Sequence, residues 1–341
     1  MFQPSYRISP QLLDSIKQIT ILVHELNKQH VSDVVFADLL SEAMVTSTYA
    51  STSIEGNPLA LTEVKRVLKT QPAHIRQSEQ EVINYNRTLQ GLNDASDAPF
   101  TLEQILTIHQ GVTADLLPAE HSGHWRLEPV VIHDPRSGNV LYLPPDHQDV
   151  PGLMGDLVGF VQAEVDRLDP LILAGLFHKQ FVIIHPFVDG NGRTTRLATK
   201  QLLAGLGLNL FHLLSFENYY NQNVTRYFQR VGVFGNYYDL VAELDFTDWL
   251  EYFAEGILNE LHRLEKQLTD RQGPPNQGLK AYHQTILDLI DAQGHVNDRD
   301  YAQRTDRAKA TRSLDFRKLV EMGIIERKGR GRSTYYQRKT V

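Results

Sequence analysis

From Leu171 to Ile184 the chain is almost continuously apolar, and at His185-Pro186 the run stops. Phe187-Val188-Asp189-Gly190-Asn191-Gly192-Arg193-Thr194-Thr195-Arg196 follows, crowding two glycines and two arginines into a short span. The apolar part reads as a buried helix, and the glycines read as a loop that opens the next helix. A loop feeding a helix N-terminus exposes unpaired backbone N–H groups, which attract anions. Gly190 and Gly192 let the backbone curl so that successive N–H groups converge. Arg193 and Arg196 lie three apart and so share a helix face, with guanidinium forks that match phosphate oxygens. Asp189 is a hard oxygen ligand of the kind Mg²⁺ takes, and His185 can accept a proton near neutral pH. Together these residues compose a phosphate-transfer site. A calcium loop starting at Asp189 would need Glu at its twelfth position, where Lys200 stands. No Gly-Lys-Ser/Thr follows the glycines, which excludes a P-loop.

Apolar residues recur at helical spacing along most of the chain, in segments near 12–26, 33–49, 62–68, 79–89, 102–116, 152–168, 171–184, 194–206, 216–231 and 246–268. One stretch departs from this period. Val130-Val131-Ile132 and Val140-Leu141-Tyr142-Leu143 flank the turn-forming 134–139, a hairpin signal that Pro144-Pro145 closes. The expected fold is mainly α: a helical bundle with a β-hairpin flap, followed by a small second domain. The expected divisions are an N-terminal helical region over 1–110, a catalytic core over 111–270 with the flap at 130–143, a Gly/Pro linker over 271–279 and a C-terminal module over 280–341.

With no cysteine, disulfides, thiolate catalysis and cysteine zinc sites are excluded. The N-terminus has no basic stretch leading into an apolar core, and no apolar run reaches the roughly 20 residues that span a bilayer, so a cytoplasmic protein without a membrane partner is expected. The net charge of −7 is uneven: residues 280–341 carry 14 Lys+Arg against 8 Asp+Glu, a net of +6, leaving 20 basic and 33 acidic residues elsewhere, a net of −13. Opposite charges suggest different partners.

The run 185–196 resembles the signature of the Fic family, His-Pro-Phe-x-Asp/Glu-Gly-Asn-Gly-Arg-x-x-Arg, at all nine defined positions. Gly123-His124-Trp125-Arg126 and the hairpin also look like family landmarks, and the resemblance covers about 36–256. It implies a protein adenylyltransferase that moves AMP from ATP onto a hydroxyl of a protein, itself included. His185 would be the base, Asp189 would hold Mg²⁺ (or Mn²⁺), and Gly190, Asn191, Gly192, Arg193, Thr194, Thr195 and Arg196 would bind the ATP phosphates. Asn223, in Gln222-Asn223-Val224-Thr225-Arg226-Tyr227-Phe228, is a further ATP-binding candidate, although this stretch departs from the family's Asn-Arg-x-x-Tyr-Tyr. Val131 and Ile132 on the flap would dock the target as an added strand.

Upstream, Ser51-Thr52-Ser53-Ile54-Glu55-Gly56 resembles the family's inhibitory motif, which makes Ser51 and Glu55 inhibitory candidates. The same pattern is also that of a helix end capped by Gly56. In the C-terminal module, three helical segments and two β-prone runs joined by Gly329-Arg330-Gly331-Arg332 resemble a winged helix-turn-helix. Arg307, Lys309, Arg312 and Arg317 fall on or near its recognition helix, and Arg327, Lys328, Arg330 and Arg332 in its wing. The positive charge favours DNA, while a protein-docking or homodimerising module fits the same residues. Two other functions stay open: a nucleotide-sensing DNA-binding regulator, and an enzyme that removes AMP using Glu55.

Overall fold

The computed structural model describes the chain apart from residues 1, 30, 71–73, 95–98, 135–136, 273–279, 322, 330 and 340–341, and apart from the side chains of residues 33, 34, 94, 272 and 332. It divides into two compact units. One comprises residues 1–28 and 39–264, the other 29–38 and 265–341. The linker expected at 271–279 lies almost wholly outside the described residues. The boundary expected at 110/111 falls inside a helix, and everything from 39 to 264 packs as one unit.

The first unit is built from α1 (Pro10–Asn27), α2 (Asp33–Ile54) from Leu39 onward, α3 (Leu61–Thr70), α4 (Gln77–Asp94) and α5 (Leu102–Thr113), then the hairpin strands β1 (Ile132–His133) and β2 (Val140–Leu143). Next come α6 (Val150–Glu164), α7 (Pro170–Ile184), α8 (Asn191–Leu203), α9 (Glu217–Gln222), α10 (Val224–Val231), β3 (Gly235–Asn236), α11 (Tyr237–Leu240) and α12 (Thr247–Gln272) as far as Leu264. The single helix expected over 216–231 breaks at Asn223, whose side-chain oxygen accepts from Arg226 N–H and caps α10. That short polar side chain offers the backbone a stop where the periodicity alone continues.

The apolar run over 171–184 is α7, buried nearly all round. A helix without a polar face must be surrounded. Here α6, α8 and α12 lie against it, α12 so closely that a side chain on Gly175 would meet Leu250 Cδ2 at 2.6 Å. Trp249 Nε1 donates to the Gly175 carbonyl at 2.8 Å across the same contact. An aromatic cluster of Tyr220, Tyr227, Trp249 and Phe253 completes this core, each ring fully or almost fully buried. Each buried side chain of this kind contributes on the order of 2 kcal/mol.

The flap forms as a short antiparallel pair, Ile132 opposite Tyr142 and His133 opposite Val140, with an irregularity between them. β3 adds on the far side of β2 in parallel, Tyr142 opposite Gly235. β2 is therefore central, and β1 keeps an outer edge. Tyr142 is buried and its hydroxyl donates to the Ile183 carbonyl at 2.9 Å, which pins the flap to the end of α7.

The second unit contains α13 (Ala281–Gln293), α14 (Asp298–Ala302), α15 (Lys309–Glu321) and an antiparallel pair, β4 (Ile325–Lys328) with β5 (Tyr335–Arg338). Val296, between α13 and α14, bridges to Tyr336 of β5. Its core is separate: Ile286, Leu287, Ile290, Val296, Tyr301, Phe316, Leu319 and Ile325. Among the described residues, no helix is long and apolar enough to cross a membrane.

Candidate active site

The signature run forms the junction between α7 and α8. His185 ends α7 in the left-handed region at φ 50, its N–H bonded to the Phe181 carbonyl. A non-glycine residue there stores strain, which persists only where the surroundings enforce it. They do so here. Arg126 is buried, and its Nε donates to the His185 carbonyl at 2.9 Å while its backbone N–H donates to the Pro186 carbonyl at 3.0 Å. The rest of that guanidinium donates to the Glu128 and Pro145 carbonyls at either end of the flap. One buried cation thus ties the loop to the flap.

Phe187 is fully buried, stacked on the His109 ring at 3.6 Å and on Trp125 at 5.0 Å. Asn191 turns its amide back on the loop, accepting from Phe187 N–H at 2.9 Å and donating to the Phe187 carbonyl at 2.8 Å. Its side chain therefore shapes the loop, and its backbone N–H is what it can offer a ligand. Gly190 caps α8 at φ 77, where a side chain would also meet Thr113 Cγ2 at 2.8 Å. Glycine is needed there twice over. The first helical bond, Thr194 N–H to the Gly190 carbonyl at 3.0 Å, leaves the N–H groups of residues 191–193 ahead of the ladder.

Asp189 stands exposed at this mouth, and its Oδ2 accepts from Arg193 Nη2 at 3.1 Å. Arg193 is almost fully buried, yet its Nε and Nη1 have no partner. Arg196 has no exposed surface. Its Nε donates to Ser51 Oγ at 2.7 Å, and its Nη2 donates to the Ser51 carbonyl at 2.9 Å and to Glu55 Oε1 at 2.8 Å, while Nη1 is unpartnered. Burial alone would depress this guanidinium's pKa, but the Glu55 charge and hydrogen bond raise it above the ordinary arginine value. Buried guanidinium donors without partners are costly unless something anionic arrives.

Glu55 reaches Arg196 because of how α2 ends. Asn57 N–H bonds to the Thr52 carbonyl and Gly56 N–H to the Ser53 carbonyl, with Gly56 at φ 89. This Schellman geometry stops the helix so that Glu55 projects from its last turn. The carboxylate comes to rest against α8's N-terminus: a side chain on Gly192 would collide with Glu55 Oε1. The helix end expected at 51–56 is therefore present, with Gly56 as its cap.

The His185 imidazole is held neutral, its pKa pulled down to about 4 by burial, although its contact with the Val182 carbonyl and the Glu55 charge oppose that. Its Nδ1 faces the Val182 carbonyl at 3.4 Å. Of the remaining candidates, Thr195 spends its hydroxyl on the Asn191 carbonyl at 2.7 Å, and Thr194 is buried with an unpartnered hydroxyl. Asn223 is exposed and occupied as the α10 cap. Tyr227 belongs to the core, its hydroxyl paired with His178 Nε2 at 2.9 Å. Val131 is exposed beside the β1 edge and Ile132 is half-buried within it.

Residues 99–203 match the family model described as Fic/DOC family. The chain carries a Fic domain. A relative described as protein adenylyltransferase Fic from Culex quinquefasciatus is 32% identical over 193 residues, covering 53% of this chain and 36% of the relative. The Drosophila erecta protein of the same description is 29% identical over 201 residues, 57% of this chain and 38% of the relative. The chain thus spans well under half the length of these curated relatives. A solved Fic family protein from Desulfovibrio desulfuricans G20 matches 99% of this chain and 98% of its own at a TM-score of 0.68 and 23% identity. Fic-1 from C. elegans matches 76% of this chain and 73% of its own at a TM-score of 0.60 and 20% identity. These likenesses establish the Fic fold, a helical bundle with a small hairpin. Within the Fic domain and its flank, sequence reasoning missed His109 as part of the site. A lone histidine in an amphipathic helix carries no local signal, and its partners at 123, 187 and 189 are brought to it only by folding.

Proposed function

We propose that this chain is a protein adenylyltransferase whose own Glu55 blocks the phosphate seat. The observation that carries this reading is the Glu55 carboxylate resting against Gly192 and on Arg196 at the N-terminus of α8, in the presence of unsatisfied Arg193 and Arg196 donors. An anion is already sitting where such a cradle favours one. In the active form, ATP phosphates take the N–H groups of residues 191–193 and the guanidiniums of Arg193 and Arg196. The neutral His185 takes the proton from a target hydroxyl through Nε2, since Nδ1 faces a carbonyl. The hydroxyl oxygen bonds to the α-phosphorus and pyrophosphate leaves.

Among the described residues no cluster of three metal-ligating side chains exists. Asp189, exposed and with one oxygen not engaged by Arg193, fits a divalent ion that takes its other ligands from phosphate oxygens. When bound, such an ion neutralises phosphate charge; the protein's part is to position and pair. The test is incubation with α-labelled ATP and Mg²⁺, comparing the wild type with Glu55→Gly. Labelled protein that increases in the variant supports the reading. Release of label from premodified protein in the wild type, with no incorporation by the variant, favours AMP removal instead.

A second reading concerns residues 265–341, whose helices and β4–β5 pair we infer to be a winged helix that binds nucleic acid. Arg307 and Arg312 are not free to read bases: Arg307 forks onto Asp315 at 2.7 and 2.9 Å, and Arg312 onto Asp298 at 2.8 and 2.9 Å. Arg338 and Lys328 likewise pair with Asp291 and Glu326. These pairs engage acidic groups of the unit while Lys309, Arg317 and Lys318 of α15 stay exposed. That pattern suits phosphate contacts more than base contacts. Duplex binding by the full chain that weakens steeply with salt, with a slope lowered by about one in Arg317→Ala, supports it. Binding indifferent to salt sinks it.

A further inference from the structure

His109 lies outside the signature run, on α5, yet touches the phosphate loop at its turning point. Its Nδ1 accepts from Gly123 N–H at 2.9 Å. The ring proton therefore sits on Nε2, which donates to the Asp189 carbonyl at 3.0 Å. With Nδ1 used as an acceptor and Nε2 as a donor, the ring is held in this single neutral tautomer. Both hydrogen bonds are then fixed in direction.

The peptide joining Asp189 to Gly190 is a rigid plane in which the carbonyl and the next N–H point opposite ways. Holding the Asp189 carbonyl on the His109 side turns the Gly190 N–H away from His109. Without that donor, a glycine at φ 77 leaves this plane free to flip at little cost. A flip would turn the Asp189 carbonyl, in place of the Gly190 N–H, away from His109 and toward a bound anion.

We infer that His109 is a positioning residue for the phosphate cradle: its Nε2 donor locks the 189–190 peptide so that the Gly190 N–H joins those of residues 191–193 in facing a bound polyphosphate. The inference rests on the phosphate-seat reading of the α7–α8 loop. It assigns His109 no contact with the reacting atoms.

Two amide substitutions separate the two hydrogen bonds, since both remove the ring stacked on Phe187. His109→Gln keeps a donor near the Nε2 position, and His109→Asn keeps an acceptor near the Nδ1 position. Both are made in the Glu55→Gly background, and dissociation constants for ATP, tripolyphosphate and adenosine are measured by calorimetry, with melting temperatures alongside. The expected result is an ATP and tripolyphosphate affinity about tenfold weaker in the Asn variant, within about threefold of the parent in the Gln variant, and an adenosine affinity little changed in either. Equal losses in the two variants would overturn the inference in favour of simple packing, as would an Asn variant that binds ATP like the parent. A parent that binds neither ATP nor tripolyphosphate removes the cradle and the inference together. A parent that binds ATP but transfers no label defeats the transferase reading alone, and the Asn/Gln comparison still decides the role of His109.

Discussion

Glu55 Oε1 lies 2.8 Å from Arg196 Nη2, joining the last turn of α2 to a fully buried arginine 141 positions later. A charge-assisted pair of this kind is worth about 1.5–3 kcal/mol, which as a block on one guanidinium amounts to roughly 10–150-fold. Glu55→Gly is therefore expected to raise α-label incorporation within that range. Arg196→Ala should lower it even when Glu55 is absent. Incorporation by folded Glu55→Gly at or below the wild-type level would defeat the autoinhibition reading.

His185→Ala should reduce transfer by about 10²–10⁴-fold, the usual cost of losing a general base, with ATP affinity little altered. The proposed phosphate seat lies at the N-terminus of α8, and His185 is not part of it. Transfer within tenfold of the parent would remove the histidine from the chemistry.

Gly190→Ala must place a side chain at φ 77 and against Thr113 Cγ2. The combined strain and overlap should cost about 1–3 kcal/mol, read as a lower midpoint in urea, and transfer should fall further than stability does. A variant as stable and active as its parent would show that the turn can relax.

The outer edge of β1 is where an extended target segment could add. Val131 precedes the paired residues, so Val131→Pro removes an N–H without breaking the Ile132–Tyr142 pairing. Label transfer to protein should fall several-fold at unchanged ATP affinity. Equal loss of both would point to disturbed folding instead.

His109 and His185 both have folded pKa values near 4, below the ordinary histidine value of 6.5. His178, buried between Thr199 and Tyr227, is displaced in the same direction by burial and by the Arg196 charge. Between about pH 6.5 and 4 the unfolded chain binds more protons at these sites, so stability falls as pH falls through that window. At pH 5 the loss should be on the order of 2 kcal/mol for each of His109 and His185. Thermal melts at pH 7 and pH 5 test this, and His109→Gln should flatten the difference. A melting temperature independent of pH over that range would contradict the neutral assignments.

The sequence by itself determined the helical bundle, the hairpin and the loop at 185–196, because each is written in adjacent residues. The largely apolar run of α7, the turn formers at 134–139 and the glycines at 190 and 192 act through their own backbone and nearest neighbours. Only the tertiary structure decided what those residues do once folded. Asn191, legible as a phosphate donor, is spent on Phe187, and Arg307 and Arg312, legible as DNA contacts, are spent on Asp315 and Asp298. His109 and Arg126, silent or nearly so in the sequence, hold the loop from outside it. Hydrogen bonds and ion pairs depend on distances of about 3 Å, whereas sequence order says nothing of distance between residues that folding alone brings together.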